Sequence, residues 1–117
     1  MDFSIPVAYR PELKNLFHRE VQKLLKALAA ELGFPEGSYD LRSTKTAPAV
    51  SGDIVLHHAS VYVLVRQSST GESDIIIRPC NGRNDLVGGI NNFAPIDELH
   101  NIPALAARIR SILADHA

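Results

Sequence analysis

The sequence predicts an α+β domain in which an N-terminal helix and a C-terminal helix pack on one face of a four-stranded antiparallel meander. Two observations predict this class. A long apolar stripe at helical spacing follows Pro11, and several short runs rich in β-branched residues come after it. Short polar links separate these runs. Because parallel strands need a crossover of a dozen or more residues, such links favour antiparallel neighbours.

The first helix is predicted to begin at Pro11 and to end before Gly33. Proline suits the first turn of a helix, and glycine suits a C-terminal cap ahead of Pro35. The stripe that faces the core is predicted to hold Leu13, Leu16, Phe17, Val21, Leu24, Leu28 and Leu32. The opposite side is predicted to hold Lys14, His18, Gln22, Lys23 and Lys26. That side is expected to be a solvated surface, with a basic patch for an acidic partner or nucleic acid as the alternative.

Four strands are predicted between turn-rich segments. Their ranges are Tyr39–Thr44, Asp53–His58, Val61–Arg66 and Ser73–Arg78. Since alternate residues of a strand point to opposite faces, Val63 and its i±2 neighbours share an apolar face that receives the helices. Tyr62, Leu64 and Ile76 lie on a mixed second face. This second face is expected either to meet water or to form the surface of a homodimer.

The two ends of the chain complete the predicted domain. Residues 1–10 are predicted to add an edge strand or to pack as an extended arm, and Pro6 argues against a central strand. Residues 95–100 are predicted to form a helical turn. Asn101 suits the N-cap of the last helix, which carries Pro103 in its first turn.

The composition is typical of a single globular domain, 1–117, with 45% apolar and 21% charged residues. The net charge of −1 argues against nucleic-acid binding, because a protein that binds a duplex needs a basic excess. The single cysteine excludes an intrachain disulfide. Neither a signal segment nor an apolar run of membrane length is recognisable, so a cytoplasmic protein with no membrane partner is expected.

The segment Cys80–Phe93 is the candidate functional loop. It holds three of the seven glycines and four asparagines, and it has no helix or strand period. Long polar connections of this kind are often functional, although Asn, Asp and Gly also build turns that only satisfy the backbone. Arg83 and Asp85 are expected to point outward from it. The candidate ligand- or partner-binding residues are Arg78, Asn81, Arg83, Asp85, Asn91 and Asn92.

No motif for catalysis, metal binding or a cofactor is recognisable, so no catalytic residue, metal or cofactor is predicted. Cys80 is interpreted as a small buried residue, because a catalytic thiol needs a base beside it. His57 and His58 are adjacent in a strand, point to opposite faces and cannot readily share a metal ion. The glycines fit neither of the standard phosphate-binding patterns. A metal nuclease would need a carboxylate and a lysine on Val61–Gln67, which has neither.

Three segments resemble small uncharacterised proteins of bacterial plasmids, phages and integrative elements. The segments are Ala49–His58, Val61–Val65 and Cys80–Phe93. The resemblance covers the middle and later thirds of the chain and implies a bacterial accessory protein. It implies no activity and no functional residues.

The sequence thus supports two hypotheses about function. The first is a non-enzymatic binding or interaction module that uses the 80–93 loop and the second face of the sheet. Its partner would be another protein or a second copy of the chain. The alternative is a small enzyme or anion-binding protein that recognises a phosphorylated ligand through Arg78, Arg83 and Asp85.

Overall fold

A computed structural model describes residues 1–116 of the protein. Over that range the elements are α1 Pro11–Glu31, β1 Tyr39–Thr44, β2 Gly52–His58, β3 Val61–Gln67, β4 Ser73–Pro79, β5 Asn92–Ala94, a 3-10 helix at Ile96–His100 and α2 Ile102–His116. The strands lie in the order β1-β2-β3-β4-β5, and every pair is antiparallel. The predicted α+β class and the antiparallel meander are confirmed. The predicted number of strands is wrong, because the sheet has five.

The fifth strand is the element that sequence reasoning missed. It is three residues long, and it places Phe93 opposite Ile76 of β4. Two asparagines followed by Phe and Ala show no strand pattern of their own. The edge of β4 supplies the hydrogen-bonding partners, so tertiary pairing rather than local propensity defines β5. The loop between β4 and β5 therefore covers residues 80–91.

One face of the sheet forms a single core with both helices. On this face Val63 lies between Leu56 of β2 and Ile77 of β4, and all three are fully buried. The helices cover these strands with side chains that are also fully buried. These are Phe17, Val21, Leu25 and Leu28 from α1, and Leu105, Ala106 and Ile109 from α2.

Two polar side chains of α1 lie on the buried side of the helix, contrary to the sequence prediction. Lys14 is buried because its ammonium group donates to the carbonyl oxygens of Thr46 and Ala47, at 3.3 and 3.1 Å. His18 is buried between α1 and the sheet and is bonded at both ring nitrogens. Burial of a polar group is tolerated when its hydrogen bonds are satisfied, which a hydrophobic pattern alone does not reveal.

The N-terminal segment packs as an arm rather than as an edge strand. Phe3 and Val7 are buried in the core. The Gln67 amide group holds the arm, because its nitrogen donates to the carbonyls of Phe3 and Ile5 and its oxygen accepts from the Val7 amide. A side chain at the end of β3 thus fixes a segment that lies 60 to 64 residues earlier in the chain.

The predictions for the C-terminal part are confirmed. Residues 96–100 form a 3-10 helix, and the Asn101 side chain accepts a hydrogen bond from the Ala104 amide at 3.2 Å. That bond satisfies one of the free N–H groups at the start of α2. Within residues 1–116, neither helix has the length and apolar character needed to span a bilayer.

Candidate partner-binding surface

The face of the sheet turned away from the helices, here called the open face, is organised in three rows that run across the strands. The central apolar row consists of Val55, Leu64, Ile76 and Phe93, which are paired in register from β2 to β5. Its members differ in exposure. Val55 and Ile76 are nearly covered by their neighbours, whereas Phe93 is 56% exposed.

One flank of the apolar row carries a net negative charge and is called the acidic row. It consists of Asp53, Arg66 and Asp74, which are opposite one another in register. Arg66 forms a bidentate ion pair with Asp74, with nitrogen–oxygen distances of 2.6 and 2.9 Å. Asp53 is exposed and forms no ion pair within the described residues.

The other flank, called the basic row, consists of Asp40, His57, Tyr62 and Arg78 in register, together with the guanidinium groups of Arg42 and Arg83 that reach it. The Arg78 guanidinium carbon lies 4.3 Å from the centre of the Tyr62 ring, a cation–π contact. The Nε atom of Arg78 is buried and has no hydrogen-bond partner among residues 1–116. Arg78 also forms no ion pair in that part of the chain.

His57 ties the loop to the open face. Its imidazole is fully buried, its Nδ1 lies 3.1 Å from an Arg42 nitrogen, and its Nε2 lies 3.0 Å from the Gly82 carbonyl oxygen. Because a guanidinium can only donate, Nδ1 of His57 accepts the hydrogen bond from Arg42. Nε2 therefore carries the ring proton and donates a hydrogen bond to the Gly82 carbonyl oxygen. The histidine is therefore a structural link and is not exposed to a ligand.

Arg83 turns back onto the sheet instead of pointing outward as expected. Its guanidinium donates to both carboxylate oxygens of Asp40, at 2.6 and 3.3 Å, and to the Gly37 carbonyl at 2.7 Å. The hydrogen bond from Arg83 lowers the pKa of Asp40. This arginine anchors the loop to β1.

Asp85 organises the loop internally. One carboxylate oxygen accepts from the amides of Val87 and Gly88, and the other accepts from the amide of Asn81 at 2.9 Å. These backbone bonds, led by that of Gly88, lower the pKa of Asp85. Glycine is required at position 88, because φ is +64° there and a Cβ would lie 2.8 Å from both Arg78 Cγ and the Pro79 carbonyl oxygen.

The asparagines have different environments. Asn81 and Asn91 are exposed, whereas the Asn92 amide lies at the start of β5 and donates to the carbonyls of Ile90 and Ile77, at 3.1 and 3.4 Å. The predicted ligand- or partner-binding role of these residues, and of Arg78, Arg83 and Asp85, stays a prediction. Arg78, Arg83 and Asp85 each have a different set of partners: Tyr62, Asp40 and loop amides, respectively.

The loop exposes apolar side chains that the sequence analysis did not single out. Leu86, Val87 and Ile90 are 64%, 82% and 83% exposed, and Phe93 follows directly after the loop. These four account for four of the seven large apolar side chains exposed in the described part of the chain. The sequence signal that could have revealed them is that three aliphatic residues lie within five consecutive positions of an otherwise polar loop. We call Leu86, Val87, Ile90 and Phe93 the apolar patch.

Cys80 and the two histidines of β2 occupy the positions that the strand geometry predicts. The Cys80 thiol is buried and donates to the His58 carbonyl at 3.2 Å, and burial raises its pKa. His58 stacks on Phe34, whereas His57 lies on the open face. Within residues 1–116 no three His, Cys, Asp or Glu side chains form a group that could hold a metal ion.

Comparisons with protein-family models, with curated proteins and with solved structures find no match to this chain. The resemblance to proteins of bacterial plasmids, phages and integrative elements therefore stays a prediction, as does the phosphorylated ligand. The geometry of the loop and the open face is the basis for the functional proposal.

Proposed function

We propose that the protein is a non-enzymatic binding module that holds a protein partner through its 80–91 loop and the adjoining open face. The observation that carries this proposal is the apolar patch. Large aliphatic and aromatic side chains gathered in one exposed segment are costly in water and are characteristic of protein interfaces. Scattered single residues would need no such explanation.

The loop supports this function because it is held in one shape. Asp85 closes it from inside, while Arg83 and the Gly82 carbonyl fasten it to Asp40 and His57. A surface that is ordered before it meets its partner loses less conformational entropy on binding. The polar residues of the loop thus serve the scaffold, and the apolar ones are presented to the partner.

The test compares two matched substitutions of exposed isoleucines. The partner is captured with the wild-type protein from cells of the source organism and purified, and its affinity is then measured by calorimetry. Ile90→Ser in the loop should weaken binding by roughly tenfold, as for a central interface residue. Ile5→Ser, in the N-terminal arm, should change the affinity by no more than about twofold.

A triple variant extends the test to the rest of the loop. Leu86→Ser, Val87→Ser and Ile90→Ser together should abolish detectable binding while leaving the melting temperature unchanged, since all three side chains are exposed. Wild-type affinity in this variant would remove the loop from the interface and overturn the proposal. Loss of binding in Ile5→Ser would point to a different surface.

A further inference from the structure

We infer that the open face binds a second copy of the same chain, related by a two-fold axis that runs along the apolar row. This inference rests on the proposed binding function and names the partner of one part of the surface. It is based on the charges of the two flanking rows and on the guanidinium of Arg78, which forms no ion pair within residues 1–116.

The two flanks of the open face have opposite charge. The acidic row carries two carboxylates, Asp53 and Asp74, against the single guanidinium of Arg66, which gives a net charge of −1. The basic row carries three guanidiniums, from Arg42, Arg78 and Arg83, against one carboxylate, which gives +2. His57, bonded as the neutral imidazole, adds no charge. The apolar row separates the two flanks.

This arrangement is complementary to itself under one kind of symmetry. In a face-to-face dimer the two-fold axis lies in the plane between the sheets. If it runs along the apolar row, apolar row meets apolar row, and the acidic row of each copy lies over the basic row of the other. An axis parallel to the strands would instead bring rows of like charge together, which is unfavourable.

The pairing gives the Arg78 guanidinium a carboxylate partner, which it lacks within residues 1–116. Asp74 and Arg78 lie on β4 at equal distances, two residues, from Ile76 of the apolar row. The two-fold axis therefore places Asp74 of one copy over Arg78 of the other, and the reverse. Each Asp74, already bonded to Arg66, would then lie between two guanidiniums. A dimer would contain two such Asp74–Arg78 contacts.

The size of the face predicts a weak dimer. Four strands of six or seven residues and a fifth strand of three, spaced about 4.8 Å apart, present roughly 500 Å². Stable complexes bury about 800 Å² on each partner. The loop, which stands beside the basic row, would add contact area against the acidic row of the second copy. We expect dissociation in the micromolar range or above, so the dimer forms only in concentrated protein.

The test uses two charge-reversal variants. Each variant alone should dimerise poorly, whereas a mixture of the two should form a heterodimer. Asp74→Arg places arginine against arginine in its own homodimer, and Arg78→Asp places aspartate against aspartate. Each variant should weaken dimerisation at least about tenfold in sedimentation velocity over roughly 5 to 500 µM. In a mixture of the two, both contacts become Arg–Asp pairs. The mixture should therefore form a heterodimer within a few-fold of wild-type affinity.

Matched controls exclude a general effect of charge. Arg19→Asp and Glu31→Arg, both on α1, reverse charges at exposed positions on the other side of the sheet and should dimerise like the wild type. Circular dichroism melts establish that all variants are folded. The inference is overturned by a wild type that is monomeric at every concentration, or by reversals that dimerise singly as well as they do when mixed.

These outcomes are distinguishable from failure of the proposed function. A monomeric wild type, together with a captured protein that Ile90→Ser no longer binds, would leave the loop as a binding site and remove only the second copy. A charge-dependent dimer, together with unchanged capture by the triple loop variant, would support self-association and remove the loop from partner binding.

Discussion

Two buried imidazoles, His18 and His57, show the same bonding pattern on opposite faces of the sheet. Nε2 of His18 lies 2.7 Å from the Ser51 carbonyl oxygen, and its Nδ1 lies 2.5 Å from Ser43 Oγ. His57 bonds Gly82 and Arg42 in the same way. In both cases the carbonyl can only accept, so Nε2 carries the proton and the ring is satisfied when neutral. His18 links α1 to the sheet, and His57 links the loop to it.

The residue beside His18 gives the clearest prediction for a single position. Gly52 begins β2 with φ at +99°, and a Cβ there would lie 2.1 Å from the Thr44 carbonyl oxygen and 3.0 Å from His18 Cε1. Gly52→Ala should therefore lower the free energy of unfolding by about 3 kcal/mol or more, because backbone must move as well as the dihedral angle. Urea unfolding followed by circular dichroism measures the loss.

Gly37 provides the control for the dihedral angle alone. Its φ is +87°, and a Cβ would meet no atom within 4 Å. Gly37→Ala should cost only the strain of the left-handed backbone, about 1–2 kcal/mol. Equal losses in the two variants would show that the contacts of Gly52 with Thr44 and His18 do not matter.

At the scale of elements, the N-terminal arm depends on one side chain of β3. The Gln67 oxygen accepts from the Val7 amide at 3.0 Å and from Ser51 Oγ at 2.7 Å, while its nitrogen donates to Phe3 and Ile5. All the hydrogen-bonding capacity of this buried amide is used. The arm contributes Phe3 and Val7 to the core, so its attachment affects global stability as well as local order.

Gln67→Ala should detach the arm. The substitution leaves the buried carbonyl of Phe3 and the amide of Val7 without partners, and we expect a loss of about 2–4 kcal/mol in the free energy of unfolding. Limited proteolysis should cleave residues 1–10 faster than in the wild type. Gln22→Ala on α1, where the side chain forms no hydrogen bond within the described residues, is the control and should stay within about 0.5 kcal/mol. Unchanged proteolysis of the Gln67 variant would contradict the clamp.

The elements that the sequence predicts well are those with strong local periodicity. α1 and the first four strands follow from their hydrophobic spacing and from the breakers between them. β5 could not be predicted, because Asn92–Ala94 becomes a strand only through its pairing with β4. Lys14 and His18 were placed on the wrong side of α1 for a similar reason: their partners Thr46, Ala47, Ser43 and Ser51 are distant in sequence.

The sequence predicted the position of the loop but not the contacts of its charged residues. Sequence reasoning located the loop and drew attention to Arg83 and Asp85 because charged residues in a glycine-rich segment suggest a ligand. Whether such residues face a ligand or the scaffold depends on what lies across the sheet, and here Asp40 and the loop amides occupy them. Leu86, Val87 and Ile90, which follow Asp85 and which the sequence reasoning did not consider, are the apolar loop side chains exposed to water.

At the scale of the whole molecule, the histidines and the aspartates with shifted pKa values affect stability in two different ranges of pH. Burial lowers the pKa of His18 and of His58 below the ordinary value of 6.5. Hydrogen bonds lower the pKa of Asp40 and of Asp85 below 3.8. Lowered carboxyl pKa values give stability that is fully present above 3.8 and is lost only as the pH falls through the folded values. Between pH 6.5 and pH 4, the histidines are therefore the groups to observe.

The last prediction concerns acid sensitivity in that range. An imidazole whose pKa is lower in the folded state binds its proton more readily when unfolded, so its contribution to stability is complete above pH 6.5 and declines as the pH falls toward the folded value. The urea midpoint should thus decrease between pH 7.5 and pH 5. His18→Phe should be less stable at pH 7.5 by about 1–2 kcal/mol, because the Ser51 carbonyl loses its donor. It should also show a smaller decrease on acidification.

A comparison with an exposed histidine decides whether the burial of His18 causes the decrease of the urea midpoint in acid. His116 lies at the end of α2 and is exposed, so His116→Gln should retain the full decrease between pH 7.5 and pH 5. If the His18→Phe and wild-type midpoints instead fell in parallel, protonation of His18 would not be coupled to unfolding. In that case the bonds of His18 to Ser43 and Ser51 would persist in the charged state, with the Ser43 hydroxyl turning from donor to acceptor. This rotation of the Ser43 hydroxyl needs no movement of α1. The link between helix and sheet would therefore survive acidification only if the two midpoints fall in parallel.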